Sequence, residues 1–150
     1  MKQKFIDAYI DVAERFAQLS YAKRLQVGAI VVKDDRIISI GYNGMPTGWD
    51  NTCEEAVEEV TITDKGSKLT TTTLKSKPEV LHAESNAIAK LARSPESGEG
   101  ATIFITHAPC IDCAKLIYQS GIATVYYKND YRSTQGLDFL KKSNVWTVKV

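Results

Sequence analysis

The chain has 150 residues, enough to bury an ordinary core in one domain and short for two. Nineteen Lys plus Arg against eighteen Asp plus Glu leave a formal net charge of +1, which lacks the global cationic field of a sequence-independent nucleic-acid binder and favours small substrates. No stretch approaches transmembrane length, Asp7, Asp11 and Glu14 interrupt any signal-peptide core, and three cysteines make no disulfide framework, so a reducing, cytoplasmic setting is expected, with neither membrane nor nucleic acid as partner.

In chain order, Phe5, Tyr9, Val12, Ala13, Phe16 and Leu19 recur at three- and four-residue intervals, predicting an amphipathic helix that ends near Ser20. Residues 27–33 and 36–41 are β-branched apolar runs joined by Asp34-Asp35, the pattern of two strands in a tight hairpin. The text then changes: Gly44, Pro46 and Gly48, an acidic cluster of Glu54, Glu55, Glu58 and Glu59, and the run Thr70 to Thr73 read as a long loop or insertion over about residues 45–77. The Thr run is expected to be a flexible or edge segment.

Pro78 and Glu79 suit a first helical turn, and Val80, Ala83, Ala87, Ile88, Leu91 and Ala92 carry that helix to about Arg93, where Ser94-Pro95-Glu96-Ser97-Gly98 stops it. A strand over 101–106, a helix over 110–120 ended by Gly121, a strand over 122–127, a helix over 137–142 and a strand over 145–148 follow. Strands alternating with helices after an opening hairpin imply an α/β mixed sheet with helices on its faces, in a single domain spanning 1–150.

Chemistry concentrates at His82-Ala83-Glu84 and Pro109-Cys110-Ile111-Asp112-Cys113, which supply one imidazole, two thiols and, in Glu84, a carboxylate that need not be a ligand. Three protein ligands leave the fourth tetrahedral position of a zinc ion open, whereas a structural zinc is closed by four. A water there is acidified from a pKa of about 15.7 towards 7, and a carboxylate beside the metal can move its protons. This signature is the known one of zinc-dependent nucleobase deaminases, with the glutamate as general acid and base and not a ligand.

Residues two apart face away from each other in mid-helix, so His82 and Glu84 can converge only near a helix start, beyond its tip. Cys110 and Cys113 fit the first turn of the next helix in the same way, and both N-terminal dipoles would favour thiolates. Two other readings of the cysteines exist. A structural zinc ribbon would need Cys53 and His107 as its second pair, and a redox pair would leave His82 and Glu84 idle. By itself His107 reads as a pocket residue or a satisfied histidine at a strand end, and Cys53 as a small apolar side chain.

Val27-Gly28-Ala29-Ile30-Val31, Gly41-Tyr42-Asn43-Gly44-Met45-Pro46, His82-Ala83-Glu84-Ser85-Asn86 and Ala108-Pro109-Cys110-Ile111-Asp112-Cys113 resemble blocks of the deoxycytidylate (dCMP) deaminase branch of the cytidine deaminase superfamily, most of all its compact, virus-encoded members. The resemblance covers most of the chain outside the insertion. It implies a three-layer cytidine deaminase-like fold, with a five-stranded mixed sheet between helices on both faces, and conversion of dCMP to dUMP and ammonia on one catalytic zinc. It also implies a homohexamer activated by dCTP and inhibited by dTTP, with Mg2+ accompanying the effector between subunits.

By the same resemblance His82, Cys110 and Cys113 are the zinc ligands and Glu84 the proton shuttle, Asn43 binds the sugar, and the Ala83 amide recognises the pyrimidine carbonyl. Arg24 is the first phosphate candidate because a planar guanidinium offers bidentate contact, with Lys23 and Tyr131 behind it. The effector is expected over Gly41, Asn43 and Gly44, with Glu55 near its base; Arg93 is expected to cap helix carbonyls. Some members hold a second, structural zinc, but Ser20-Tyr21-Ala22-Lys23 and the His-free stretch after Cys53 lack its ligands. The alternatives are a related deaminase of dCTP, cytidine, deoxycytidine or tRNA, and a non-catalytic nucleotide-sensing or structural zinc module.

Overall fold

The computed structural model describes residues 1–150. Helix α1 (Gln3–Ala17) leads into β1 (Gly28–Lys33) and β2 (Arg36–Tyr42), joined by Asp34 and Asp35 with φ of 50° and 57°. Two consecutive left-handed residues make the turn that matches strand twist, so the expected hairpin forms where the sequence put it. A separate hairpin, β3 (Glu54–Ile62) and β4 (Lys68–Ser76), precedes α2 (Ala83–Ala92). The chain closes with β5 (Thr102–His107), α3 (Ile111–Gln119), β6 (Thr124–Asn129), α4 (Gln135–Lys142) and β7 (Trp146–Lys149).

The main sheet has the order β2-β1-β5-β6-β7. β1 is antiparallel to β2 and β5, while β5, β6 and β7 run parallel. Period-two alternation divides its faces. Ile30, Val32 and Phe104 point to one side, where Ile6, Ile10 and Ala13 of α1 cover them. Ala29, Val31, Ile103 and Ile105 point to the other, under Ala83, Ala87 and Leu91 of α2 and Ala114 and Ile117 of α3. Helices therefore sandwich a five-stranded mixed sheet in three layers, as expected.

Two local expectations are corrected. Within the segment read as a long loop or insertion, β3 and β4 pair over nine rungs from Glu54↔Ser76 to Ile62↔Lys68, so the loop alternative gives way to an inserted hairpin. Its strands are exposed on nearly every side chain, so there is no buried face to impress an apolar alternation on the sequence. The Thr run is the centre of β4, an edge strand of this two-stranded sheet, which agrees with the edge alternative expected for it. The helix expected from Pro78 begins at Ala83 instead, because Leu81 is held extended by reciprocal bonds with Gly44 (Gly44 N to Leu81 O 3.1 Å, Leu81 N to Gly44 O 2.8 Å).

Candidate active site

His82 and Cys110 are the N-cap residues of α2 and α3, both with extended backbone (ψ 154° and 168°). The side chains leave from helix tips that carry unpaired amides and the positive dipole ends. The Cys110 sulfur accepts from Cys113 N at 3.5 Å, so the second half-motif caps its own helix. The convergence beyond a helix tip is thus achieved with the tip itself at His82.

Nδ1 of His82 lies 3.5 Å from the sulfurs of both Cys110 and Cys113, and the three donor atoms all lie within 4.8 Å of one another. A tetrahedral zinc with bonds of about 2.0–2.1 Å to nitrogen and 2.3 Å to sulfur spans an N···S edge of about 3.6 Å, so the donor set fits that ion. Cys53 is buried elsewhere, its thiol donating to Asn51 O at 3.4 Å, and the His107 ring meets Thr106 Oγ1 at 3.0 Å. Neither joins the cluster, which removes the second ligand pair a structural ribbon would need.

The electrostatics follow from burial at a crowded anion site. The Cys110 thiol is held at about 4, first by a hydrogen bond from Cys113 and then by His82, against the opposing pull of desolvation. Cys113 is pushed up, because it donates that bond and is buried near Glu84. His82 is raised by its contact with Cys110. Glu84 is 4% exposed, and desolvation pushes its carboxyl up to about 7, with its own backbone amide, His82 and Cys113 opposing. A carboxyl balanced near neutrality can both accept and return a proton.

Above these groups opens a cleft of about 700 Å3 that reaches His82, Ala83, Glu84 and Cys110. Arg24, Asn43 and Tyr131 line it too, so the structure brings the expected substrate residues to one place. Asn43 is already employed there: its Oδ1 accepts from Val27 N (2.8 Å) and its Nδ2 donates to Leu25 O (2.8 Å). Lys75, Lys77, Arg132, Asn129 and His107 also line the cleft, the first four without any role expected from the sequence. Arg132 had one signal, its place beside Tyr131, over whose ring its guanidinium sits at 5.5 Å. Lys75 and Lys77 carry no such signal, since only the β4 strand brings that end of the hairpin to the cleft rim. Lys23 is absent from the lining.

The expected effector residues are not in this cleft, apart from Asn43. Gly41 is taken up by packing: a Cβ there would fall 2.1 Å from Ala83 O and 2.7 Å from Ala87 N, so its lack of a side chain lets α2 sit against β2. Gly44 faces open space and Glu55 is exposed, paired in register with Lys75. Arg93 is the C-cap residue of α2, which it closes through its backbone amide. No helix is long and apolar enough to cross a membrane.

Residues 2–129 match the cytidine and deoxycytidylate deaminase zinc-binding region. The chain is 36% identical over 148 residues to the deoxycytidylate deaminase of Enterobacteria phage T4, covering 81% of this chain and 76% of that one. It is 39% identical over 114 residues to ComE operon protein 2 of Bacillus subtilis (strain 168), covering 76% of this chain but spanning about half, 53%, of that longer relative. Among solved structures it superposes on the dCMP deaminase of cyanophage S-TIM5 in complex with dCMP and dUMP, with a TM-score of 0.84, 44% identity and coverage of 100% and 99% of the two chains.

Proposed function

Because the chain belongs to the cytidine and deoxycytidylate deaminase family, with its zinc-binding region matched over residues 2–129, we propose that it hydrolyses dCMP to dUMP and ammonia. The observation that carries this reading is the placement of buried Glu84 beside the His82, Cys110 and Cys113 donors, at the floor of a cleft edged by Arg24, Lys75, Lys77 and Arg132. His82 Nδ1 and the two thiolates would hold the zinc, which when bound supplies a nucleophilic water at neutral pH. Glu84 takes one proton of the attacking water and passes it to the ring nitrogen beside the amine-bearing carbon, then takes the remaining proton from the newly added hydroxyl and delivers it to the amine, which departs as ammonia as the carbonyl forms. Desolvation raises this carboxyl to about 7, which makes it a stronger base than an ordinary carboxylate.

Ala83 is the first residue of α2, so its amide has no intrahelical acceptor and can donate to the pyrimidine carbonyl. Asn43 meets the sugar, and Arg24 receives the phosphate with Tyr131 alongside. The cation-rich rim favours a monophosphate over a neutral nucleoside, because each pairing is charge-assisted.

Control by deoxynucleoside triphosphates belongs to the same reading: dCTP activates and dTTP inhibits, with Mg2+, between subunits of a homohexamer. Its support is the likeness of Gly41-Tyr42-Asn43-Gly44-Met45-Pro46 to the nucleotide-acting branch, together with the open space over Gly44 and the exposure of Glu55. The cytoplasm is the proposed compartment, since two thiolate ligands need a reducing setting.

The test is ammonia release by zinc-loaded protein from dCMP, dCTP, CMP and deoxycytidine, each with and without dCTP and dTTP. Preference for dCMP is expected. Turnover of deoxycytidine or an RNA with dCMP inert would overturn the assignment.

A further inference from the structure

Resting on that reading, we propose that Glu54 is a positioning residue, whose buried carboxylate fixes the backbone of Lys23 and Arg24 so that the Arg24 guanidinium stands at the cleft to receive the substrate phosphate. Glu54 opens β3 and is 6% exposed, although the strand that follows lies almost wholly in solvent. Its Oε1 accepts from Lys23 N at 2.8 Å and from Arg24 N at 3.1 Å, across thirty residues of chain. A carboxylate drawn out of water persists only where donors converge on it, and here both donors belong to the segment that carries Arg24.

The other half of the same rung acts on the same residue. Ser76 is the register partner of Glu54 across the hairpin, and its Oγ accepts from Arg24 Nη1 at 3.4 Å. Lys77 N extends the ladder by donating to Cys53 O at 2.8 Å. Backbone and side chain of Arg24 are therefore both tied to the base of β3 and β4. On the other side Asn43 holds Leu25 O and Val27 N, so the stretch between α1 and β1 hangs from two side chains, one in each flanking segment. Neither strand of the hairpin packs extensively against a helix or strand of the main sheet, and its first rung lies at the cleft.

The experiment compares wild type with Glu54→Ala, Glu54→Asp and Glu54→Gln, by amide hydrogen exchange and by kinetics on dCMP and deoxycytidine. Gln keeps an oxygen of the right reach for both amides; Ala has none, and Asp is one methylene short. In Glu54→Ala the Lys23 and Arg24 amides should exchange at least about tenfold faster. KM for dCMP should rise about tenfold with kcat within about twofold, because only phosphate binding is loosened. Deoxycytidine kinetics should not move, and Gln should stay near wild type while Asp follows Ala.

Unchanged exchange at Lys23 and Arg24 overturns the proposal, as does an equal loss on deoxycytidine and dCMP, which would mark a general role in folding. If Glu54→Ala does not fold, Asp against Gln makes the same comparison. A wild type inert towards dCMP would sink the functional reading and the phosphate role with it, while the exchange data would still decide whether Glu54 anchors the segment.

Discussion

His82 and Cys110 occupy the same position in two different helices, each the extended N-cap residue of its own, and Nδ1 of one lies 3.5 Å from Sγ of the other. Two helix starts are thereby aimed at one point. Glu84 enters the first turn of α2 directly behind His82, so the same helix tip places both the proposed proton carrier and the proposed zinc ligand.

Removing a ligand should remove the metal. Cys110→Ser and Cys113→Ser are expected to reduce zinc from one per chain to well below that and to abolish turnover, since a neutral hydroxyl replaces an anionic ligand. Cys113→Ser should also lower stability further, because Cys113 is buried and Cys110 only partly so. Metal analysis and thermal melts check both, and two tightly held zincs per wild-type chain would contradict the single site.

Glu84→Gln should keep its zinc and its substrate but lose kcat by about two to four orders of magnitude, because the amide cannot carry the proton. Metal content, dCMP binding and single-turnover rates separate these effects. Preserved turnover would overturn Glu84 as the proton carrier, whereas a zinc-loaded wild type with no turnover would favour a non-catalytic zinc module.

Within one short motif two glycines should behave oppositely. Gly41→Ala places a methyl 2.1 Å from Ala83 O, a backbone atom that cannot swing aside. A cost of about 1–3 kcal/mol is expected, together with weaker zinc binding as the α2 tip shifts. Gly44→Ala meets nothing within 4 Å and should be close to neutral in a denaturant melt. Any change it causes should appear in the response to dCTP or dTTP.

His107 supplies a pH signature. Desolvation lowers its pKa from the ordinary 6.5, with Glu14 opposing weakly. Below 6.5 the unfolded chain takes up a proton that the folded imidazole resists, so this group's contribution to stability is present above that pH and is lost as pH falls towards the folded value. The stability difference between wild type and His107→Gln should therefore shrink on going from neutral to mildly acidic buffer, and the ring resonances should titrate below 6.5. A ring titrating above it would refute the burial argument.

Much of the fold could be read in advance because its elements have one buried side. The alternation in β1 and the three-four spacing in α1 record the two faces of the sheet, and Asp34-Asp35 sits where the turn falls. The β3 and β4 hairpin escaped because both its sides are wet, although Asp64-Lys65-Gly66-Ser67 between two β-prone runs was a usable turn signal. The start of α2 was misplaced because a long-range pairing of Leu81 with Gly44 overrides what Pro78 suggests locally.

The sequence by itself determined which side chains are available for the proposed chemistry, since one imidazole, two thiols and Glu84 fall at helix starts and their spacing matches a known deaminase signature. Tertiary structure decided the rim of the cleft. Lys75, Lys77 and Arg132 arrive from segments far apart in the chain, and Arg24 is tied in place by a carboxylate thirty residues away. Such hydrogen bonds between distant loops follow no period, so they leave no mark in the linear text until the chain is folded.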